Sequence, residues 1–238
     1  ADDERVAAMR SCAADGVRVL TYGLKADADV RAEALRLAAD GAQFMVTWAN
    51  ERHDYSIPLA GRHNVSNALA ALAAGFVLGL TPQEIQAGLC ALAPSKMRYE
   101  VHTVGAWRLI NDAYNASPSS MRAALETTAA LYHGRRIAVL GDMLELGDAA
   151  EEAHREIGRR AAELGFAALV TYGPQAQWMH EAAEAAGCPV CRHAATHEAA
   201  AKHLRALLRD GDTVLFKGSR GMKMEAVIAL LTGEEAGH

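Results

Sequence analysis

Aromatic residues are scarce in this sequence: Phe, Tyr and Trp together make 5% of its 238 residues. Proline numbers only 6 and cysteine only 4. So few cysteines, irregularly spaced, exclude a disulfide framework and point to a reducing cytoplasm. There is no basic excess either. Lys and Arg total 24 against 29 Asp and Glu, a net charge of −5, so no global field draws nucleic acid or anionic lipid. The longest apolar run, Ala68 to Leu80, is too short to span a bilayer and is broken by Gly75 and Gly79. Ala1-Asp2-Asp3-Glu4-Arg5 offers no basic start leading into an apolar stretch, so no secretory signal is expected there. The chain opens mid-pattern without Met, and a fragment or a processed chain is the expectation. No G-x-x-x-x-G-K-[ST] phosphate loop, G-x-G-x-x-G fingerprint, H-E-x-x-H or G-x-S-x-G occurs.

What is present is ordinary globular composition, 51% hydrophobic and 22% charged, with Ala dominating the apolar share. That excludes disorder and favours helix-rich layers built on small side chains. The first hundred residues read as a mixed segment. Val17 to Gly23 forms a short strand, and Gln43–Trp48 and Tyr55–Leu59 form a hairpin around the polar stretch Asn50–Asp54. Val65, Leu69, Leu72, Phe76 and Leu80 recur at helical spacing. Thr81-Pro82-Gln83-Glu84 is a capping box with Pro at the first helical position, starting a helix to about Leu92. Pro94 to Arg98 reads as a link, which sets a boundary between 1–97 and 98–238.

Beyond residue 100 strands and helices alternate. Strands are expected at Trp107–Ile110, Arg136–Leu140, Ala167–Tyr172, weakly at Pro189–Cys191, and at Thr213–Phe216. Helices follow each: from Ser117-Pro118 through Tyr132, from an Asp148 cap to near Gly165, from Pro174 to Gly187, from a Thr196 cap to Arg209, and from about Met222 to Leu231. Five such units make an open α/β domain with a mostly parallel sheet covered on both faces. In that architecture ligands bind outside the carboxyl ends of the strands. Asn111-Asp112, Gly141-Asp142, Tyr172-Gly173 and Lys217-Gly218-Ser219-Arg220 occupy those places. A site carrying both signs of charge suits a zwitterionic or phosphorylated ligand.

Each motif admits two readings. Asn64 and Asn67, three apart at a helix start, can present paired amides to an adenine edge, or serve as an N-cap and a solvated residue. Asp112 is placed for ribose hydroxyls or a cation and Asn115 for a substrate, or both lie in an ordinary loop capped by Ser117. Asp142 and Glu145, between Gly141 and Gly147, can hold a metal or orient an amine, or supply negative charge near a helix start. Lys217, Ser219, Arg220 and Lys223, in a Gly-rich turn opening a helix, form a carboxylate or phosphate cradle; structure alone does not call for cations at that end of a helix. Arg98 can swing onto a phosphate from a hinge, or is a solvated linker charge. Cys188-Pro189-Val190-Cys191 with His193 and His197 has too short a Cys-to-His spacer for a zinc finger, and reads as buried small hydrophobes.

Leu59 to Ala70, Asn111 to Met121, Gly141 to Gly147 and Lys217 to Glu225 together resemble the Mur ligases of peptidoglycan synthesis, in order and across the whole chain. Asp112-Ala113-Tyr114-Asn115-Ala116-Ser117-Pro118 fits the member that joins D-alanyl-D-alanine to UDP-N-acetylmuramoyl-tripeptide, and the Asp-Asn-Pro-Arg signature of the diaminopimelate- or lysine-adding member is absent. The resemblance implies the second half of a central α/β ATPase domain in 1–97 and a C-terminal Rossmann-like domain in 98–238. The phosphate-loop Lys, the Mg2+ ligands and a carbamylated Lys would lie upstream, leaving this chain inactive alone. It implies ATP contacts from His63, Asn64, Asn67, Arg98 and Asp112, with Arg98 and Asp112 catalytic. It implies dipeptide contacts from Asn115, Asp142, Lys217, Ser219 and Arg220, no metal ligands in this chain, and a cytoplasmic monomer. The implied chemistry is amide formation through an acyl phosphate, driven by ATP. The competing readings are a non-catalytic nucleotide- or dipeptide-binding module and a nicotinamide dehydrogenase, the latter disfavoured by the missing glycine fingerprint.

Overall fold

A computed structural model of the chain describes residues 1–24, 28–93 and 95–233. It divides into two compact units, Ala1–Ala93 and Pro94–His238. Pro94, at the head of the predicted link, lies outside the described residues. No helix among the described residues is long and apolar enough to cross a membrane.

The first unit begins with helix α1 (Glu4–Ala8) and builds a four-stranded sheet from β1 (Tyr22–Gly23), β2 (Val30–Ala38), β3 (Gly41–Trp48) and β4 (Glu51–Ile57), in that spatial order. β1 pairs parallel with β2, and the other pairs are antiparallel. Only Tyr22–Gly23 of the predicted Val17–Gly23 strand is extended in the sheet. The hairpin forms, but its turn sits earlier than predicted. Ala49 and Asn50 both take left-handed backbone, φ 50° and 67°, so two residues close the turn and the polar stretch becomes part of β4. β2 carries no sequence signal strong enough to predict it: its outward residues Arg31, Glu33 and Arg36 are charged, and a bulge between Glu33 and Arg36 breaks the alternation.

Helix α2 (Arg62–Val77) lies on this sheet. It buries Val65, Ala68, Leu69, Leu72, Ala73 and Phe76, one face at helical period, against Val30, Phe44, Val46 and Ile57. Trp48 stacks flat on Phe76, with ring centres 4.6 Å apart. Its N-cap is Gly61, φ 98°, so Asn64 is not the cap but sits within the first turn. Helix α3 (Pro82–Cys90) starts at the reciprocal Thr81–Glu84 capping box, as expected.

The second unit is a six-stranded sheet of β5 (Glu100–Val104), β6 (Trp107–Asp112), β7 (Arg136–Gly141), β8 (Ala168–Tyr172), β9 (Cys191–Ala194) and β10 (Thr213–Lys217). The spatial order is β5-β6-β10-β7-β8-β9. Only β5 runs antiparallel. Helices α4 (Pro118–Leu131), α5 (Ala150–Glu163) and α6 (Ala176–Ala185) bury Met121, Leu125, Ile157, Ala161 and Met179 on one face. Helices α7 (His197–Leu207) and α8 (Glu225–Thr232) bury Ala200, Leu204, Val227 and Leu231 on the other. Central strands therefore need apolar side chains on both sides, and Val214, Leu215 and Phe216 are all 0% exposed.

Several predicted boundaries move. Asp148 caps nothing; Gly147–Ala149 is a 3-10 turn and α5 starts at Ala150. Helix α6 starts at Ala176 rather than Pro174, and α8 at Glu225 after another 3-10 turn, Arg220–Met222. The weak fourth strand, predicted at Pro189–Cys191, runs instead from Cys191 to Ala194, where it pairs with β8.

Two arginines close the amino end of this sheet. The Arg136 guanidinium donates to the carbonyls of Ala129 and Tyr132 at the end of α4 and of Leu164 and Gly165 after α5, so one side chain caps two helices. Arg135 pairs with Asp212 at 2.5 Å. Helices α5 and α6 meet at Gly158, where a Cβ would stand 2.1 Å from the Met179 carbonyl oxygen. Gly158→Ala should therefore push the helices apart and cost about 1–3 kcal/mol. Chemical denaturation read by circular dichroism checks it, and an unchanged midpoint would contradict this packing.

Candidate functional site

The carboxyl ends of β6, β7, β8 and β10 gather four loops of the second unit. Lys217, the last residue of β10, is 3% exposed. Its ammonium sits 2.7 Å from Asp112 Oδ2 and donates to the Asp112 carbonyl at 3.3 Å and the Asn115 carbonyl at 2.9 Å. An ammonium has three protons, and these three oxygens account for them. Asp112 Oδ1 accepts the Tyr99 N–H at 3.1 Å. The residues singled out at two strand ends are thus joined into one ion pair that ties the β6–α4 loop to the central strand.

Two residues further on, the Ser219 hydroxyl accepts the Leu144 N–H at 2.8 Å and lies 3.4 Å from the Ala116 carbonyl. The Ser219 N–H donates to the Asp142 carbonyl at 2.9 Å. One serine therefore bridges the loops after β6, β7 and β10. The Asp142 carboxylate points to the start of α6, where Oδ1 accepts the Ala176 N–H at 2.6 Å. Gly173, φ 111°, makes room for it, since a Cβ there would meet Asp142 Oδ1 at 2.6 Å. Burial pushes the Asp142 carboxyl above its ordinary 3.8, opposed by the amides of Ala176 and Gln175.

Asp112, Asn115, Asp142, Lys217 and Ser219 are therefore brought to one end of the sheet. Lys217, Ser219 and Asp142 are buried and engaged there; Asn115, Arg98 and Arg220 are exposed. Arg98 stacks on the exposed Tyr114 ring, 4.2 Å from its centre. Arg220 pairs with Glu225 at 2.5 Å. The segment before β5 is drawn onto the same loops: Tyr114 N–H donates to the Met97 carbonyl, and Met97 and Tyr99 take left-handed φ of 57° and 54°. In the first unit, His63 and Asn67 are exposed on the first turns of α2, and Asn64 Nδ2 donates to the Ala60 carbonyl at 2.8 Å.

Sequence reasoning missed Tyr99, whose hydroxyl lies 2.9 Å from Thr128 Oγ1 under the site, and His154, which is fully buried behind the Asp142–Gly147 loop. Neither stands at a strand end or in a motif; both sit among polar residues that read as surface. The cysteine motif is internal. Cys188 and Cys191 are buried, and their proximity draws the Cys188 thiol down while pushing Cys191 up. His193 and His197 turn to Thr171 Oγ1 and the Met222 carbonyl instead.

A raised carboxyl pKa in the folded state means the Asp142 contribution to stability is present below 3.8 and lost as pH rises through its folded value. Asp142→Asn keeps an acceptor for Ala176 without the charge. Its thermal midpoint should match or exceed wild type at pH 7, and the wild-type advantage should return as pH falls towards 3.8. Asp142→Ala loses the cap and should cost about 1 kcal/mol at low pH, where the carboxyl is protonated, and less as pH rises through its folded value. Calorimetric melts from pH 3 to pH 8 check both.

Comparison with known proteins falls on the same two units. Residues 97–220, more than half of the chain, match the family model "Mur ligase, glutamate ligase domain", and residues 1–75 match "Mur ligase middle domain". The UDP-N-acetylmuramoyl-tripeptide–D-alanyl-D-alanine ligase of Bacillus subtilis (strain 168) is 36% identical over 214 residues, covering 87% of this chain and 46% of that protein. The enzyme of the same name from Escherichia coli (strain K12) is 34% identical over 210 residues, covering 87% and 45%. The crystal structure of MurF from Acinetobacter baumannii superimposes with a TM-score of 0.87 at 30% identity, covering 98% of this chain and 50% of that one. The chain spans about half the length of the curated relatives it matches. On these matches, running through both compact units, the chain belongs to the Mur ligase family.

Proposed function

We propose that this chain contributes to ATP-dependent amide formation, the addition of D-alanyl-D-alanine to UDP-N-acetylmuramoyl-tripeptide in peptidoglycan precursor synthesis. The observation that carries the reading is the convergence of the Asp112–Pro118, Asp142–Gly147 and Lys217–Arg220 loops at one end of the sheet, in a chain that is 36% identical to a ligase named for that addition. In this reading residues 1–97 form part of a central ATP-binding domain, and residues 98–238 form the domain that receives the incoming dipeptide. The protein would work in the cytoplasm, as a monomer.

The reaction proceeds in two displacements. The tripeptide carboxylate attacks the γ-phosphorus of ATP and ADP leaves, giving an acyl phosphate. The free amine of D-alanyl-D-alanine attacks the acyl carbon, loses a proton, and expels inorganic phosphate. Little of this needs covalent help from the protein; it needs positioning and charge balance. Asn64, with one N–H on Ala60, and Asn67 would read the adenine edge beside His63. Asp112 would meet the ribose and Arg98 the phosphates. Arg220 and Asn115, exposed at the rim, would meet the dipeptide carboxylate first. Lys217, Ser219 and Asp142 would hold the loops that present them. In this reading the Mg2+ that accompanies ATP is held by residues outside this chain.

Phosphate release by the protein as its own gene expresses it tests the reading. Release should require ATP, the UDP-linked tripeptide and D-alanyl-D-alanine together; binding of dipeptide or nucleotide without release would favour a binding module instead. Asp112→Asn keeps the shape and an acceptor for Tyr99 but not the charge, and should lower kcat about 100-fold, the scale of losing one electrostatic contact in a transition state. Unchanged kinetics in a well-folded variant would remove Asp112 from the mechanism.

A further inference from the structure

His154 is the only fully buried histidine among the described residues. It lies on the inner face of α5, where its neighbours at helical spacing are Ala150, Ile157, Gly158 and Ala161. An apolar residue would fill that position without the cost of burying an imidazole. The imidazole is engaged at both nitrogens. The Met143 N–H donates to Nε2 at 2.9 Å, and Nδ1 lies 2.7 Å from the Ala150 carbonyl. A backbone N–H can only donate and a carbonyl can only accept, so these two partners select the neutral tautomer with its proton on Nδ1. The edge of Trp178 closes over the ring, with centres 6.1 Å apart.

The next amide in the chain, Leu144 N–H, goes the other way, to Ser219 Oγ at 2.8 Å. Two consecutive amides of the β7–α5 loop are thus held from opposite sides, one by α5 and one by the turn after β10. Immediately beyond them Glu145 takes left-handed backbone, φ 65°, which a residue with a side chain holds only when its flanks are fixed. Leu144, 38% exposed, reaches over Gly221, where a Cβ would stand 3.0 Å from Leu144 Cδ1. The loop's height above the Ser219–Gly221 turn therefore depends on both clamps.

We infer that His154 is a positioning residue for the amine-receiving site: its Nε2 fixes Met143, and through it the Leu144–Glu145 rim against which the incoming dipeptide lies. The inference rests on the function proposed above. It adds a residue that touches no substrate but sets the fit of one substrate and not the other.

The test uses two conservative variants and the phosphate-release assay on the protein as its own gene expresses it. His154→Gln places an amide oxygen near the Nε2 position and keeps the acceptor for Met143. His154→Asn places an amide N–H near the Nδ1 position, keeps the bond to Ala150, and loses that acceptor. His154→Asn should raise KM for D-alanyl-D-alanine about tenfold while kcat and KM for ATP stay within about twofold, a misplacement effect on one substrate. His154→Gln should restore KM to within about twofold of wild type. Amide hydrogen exchange supplies a readout that needs no ligand: Met143 and Leu144 should exchange faster in His154→Asn than in His154→Gln. Equal exchange in the two variants, an unmoved dipeptide KM in His154→Asn, or parallel losses in kcat and both KM values tracking a lower melting point would each overturn the inference. A wild type without dipeptide-dependent release would sink the functional reading instead, and the exchange comparison would still decide whether His154 clamps the loop.

Discussion

An ammonium group taken out of water must find oxygen to replace the water it loses, and Lys217 stands at the end of the strand in the middle of the larger sheet. Its partners, Asp112 and Asn115, belong to the first parallel strand and its loop, more than a hundred residues earlier. Satisfying one charge therefore fixes the start of the unit against its end. Ser219 extends the same constraint to the loop after β7, and Asp142 carries it on to α6. The carboxyl edge of the sheet is consequently one connected set of bonds, an ion pair and side chain to backbone hydrogen bonds, not four independent loops.

This arrangement separates the residues that build the rim from those that face outward on it. Lys217, Ser219 and Asp142 are buried with their polar atoms on neighbouring loops, Lys217 on the Asp112 carboxylate as well; the side chains of Arg98, Asn115 and Arg220 lie at the surface. A site of this kind gains its geometry from the first group and its contacts from the second. The Arg98–Tyr114 stack and the Met97–Tyr114 bond place the residues leading into β5 on the same rim.

The strand–helix alternation after residue 106 was legible because strands buried on both faces must be apolar throughout, and Arg136–Gly141 and Thr213–Lys217 stand out as such between polar helices. The face of α2 and the Thr81 capping box were legible for the same local reasons. β2 and β5 were not. β2 alternates charge with apolar residues across a bulge, and β5 is an edge strand that leaves Val101, His102 and Thr103 exposed. For the site, the rule that ligands gather beyond strand ends picked out Asp112, Asn115, Asp142, Lys217 and Ser219 from position alone. Their mutual pairing was hidden, because it depends on the strand order β6-β10-β7, which no local pattern encodes. His154 was hidden for another reason: in His154-Arg155-Glu156-Ile157 it reads as one more polar helix residue.

That same strand order bears on how the chain is made. β6 and β7 emerge early, yet they do not touch in the sheet; the ribbon that separates them, Thr213–Lys217, is synthesised last. Until it arrives, two apolar flanks face an open slot, and no partial product of translation can close the middle of this layer. Long-range closure of this kind is slow and leaves unpaired edges exposed meanwhile. Pairing across the middle of the larger unit therefore waits for its final strand, whose lysine ties the two halves together.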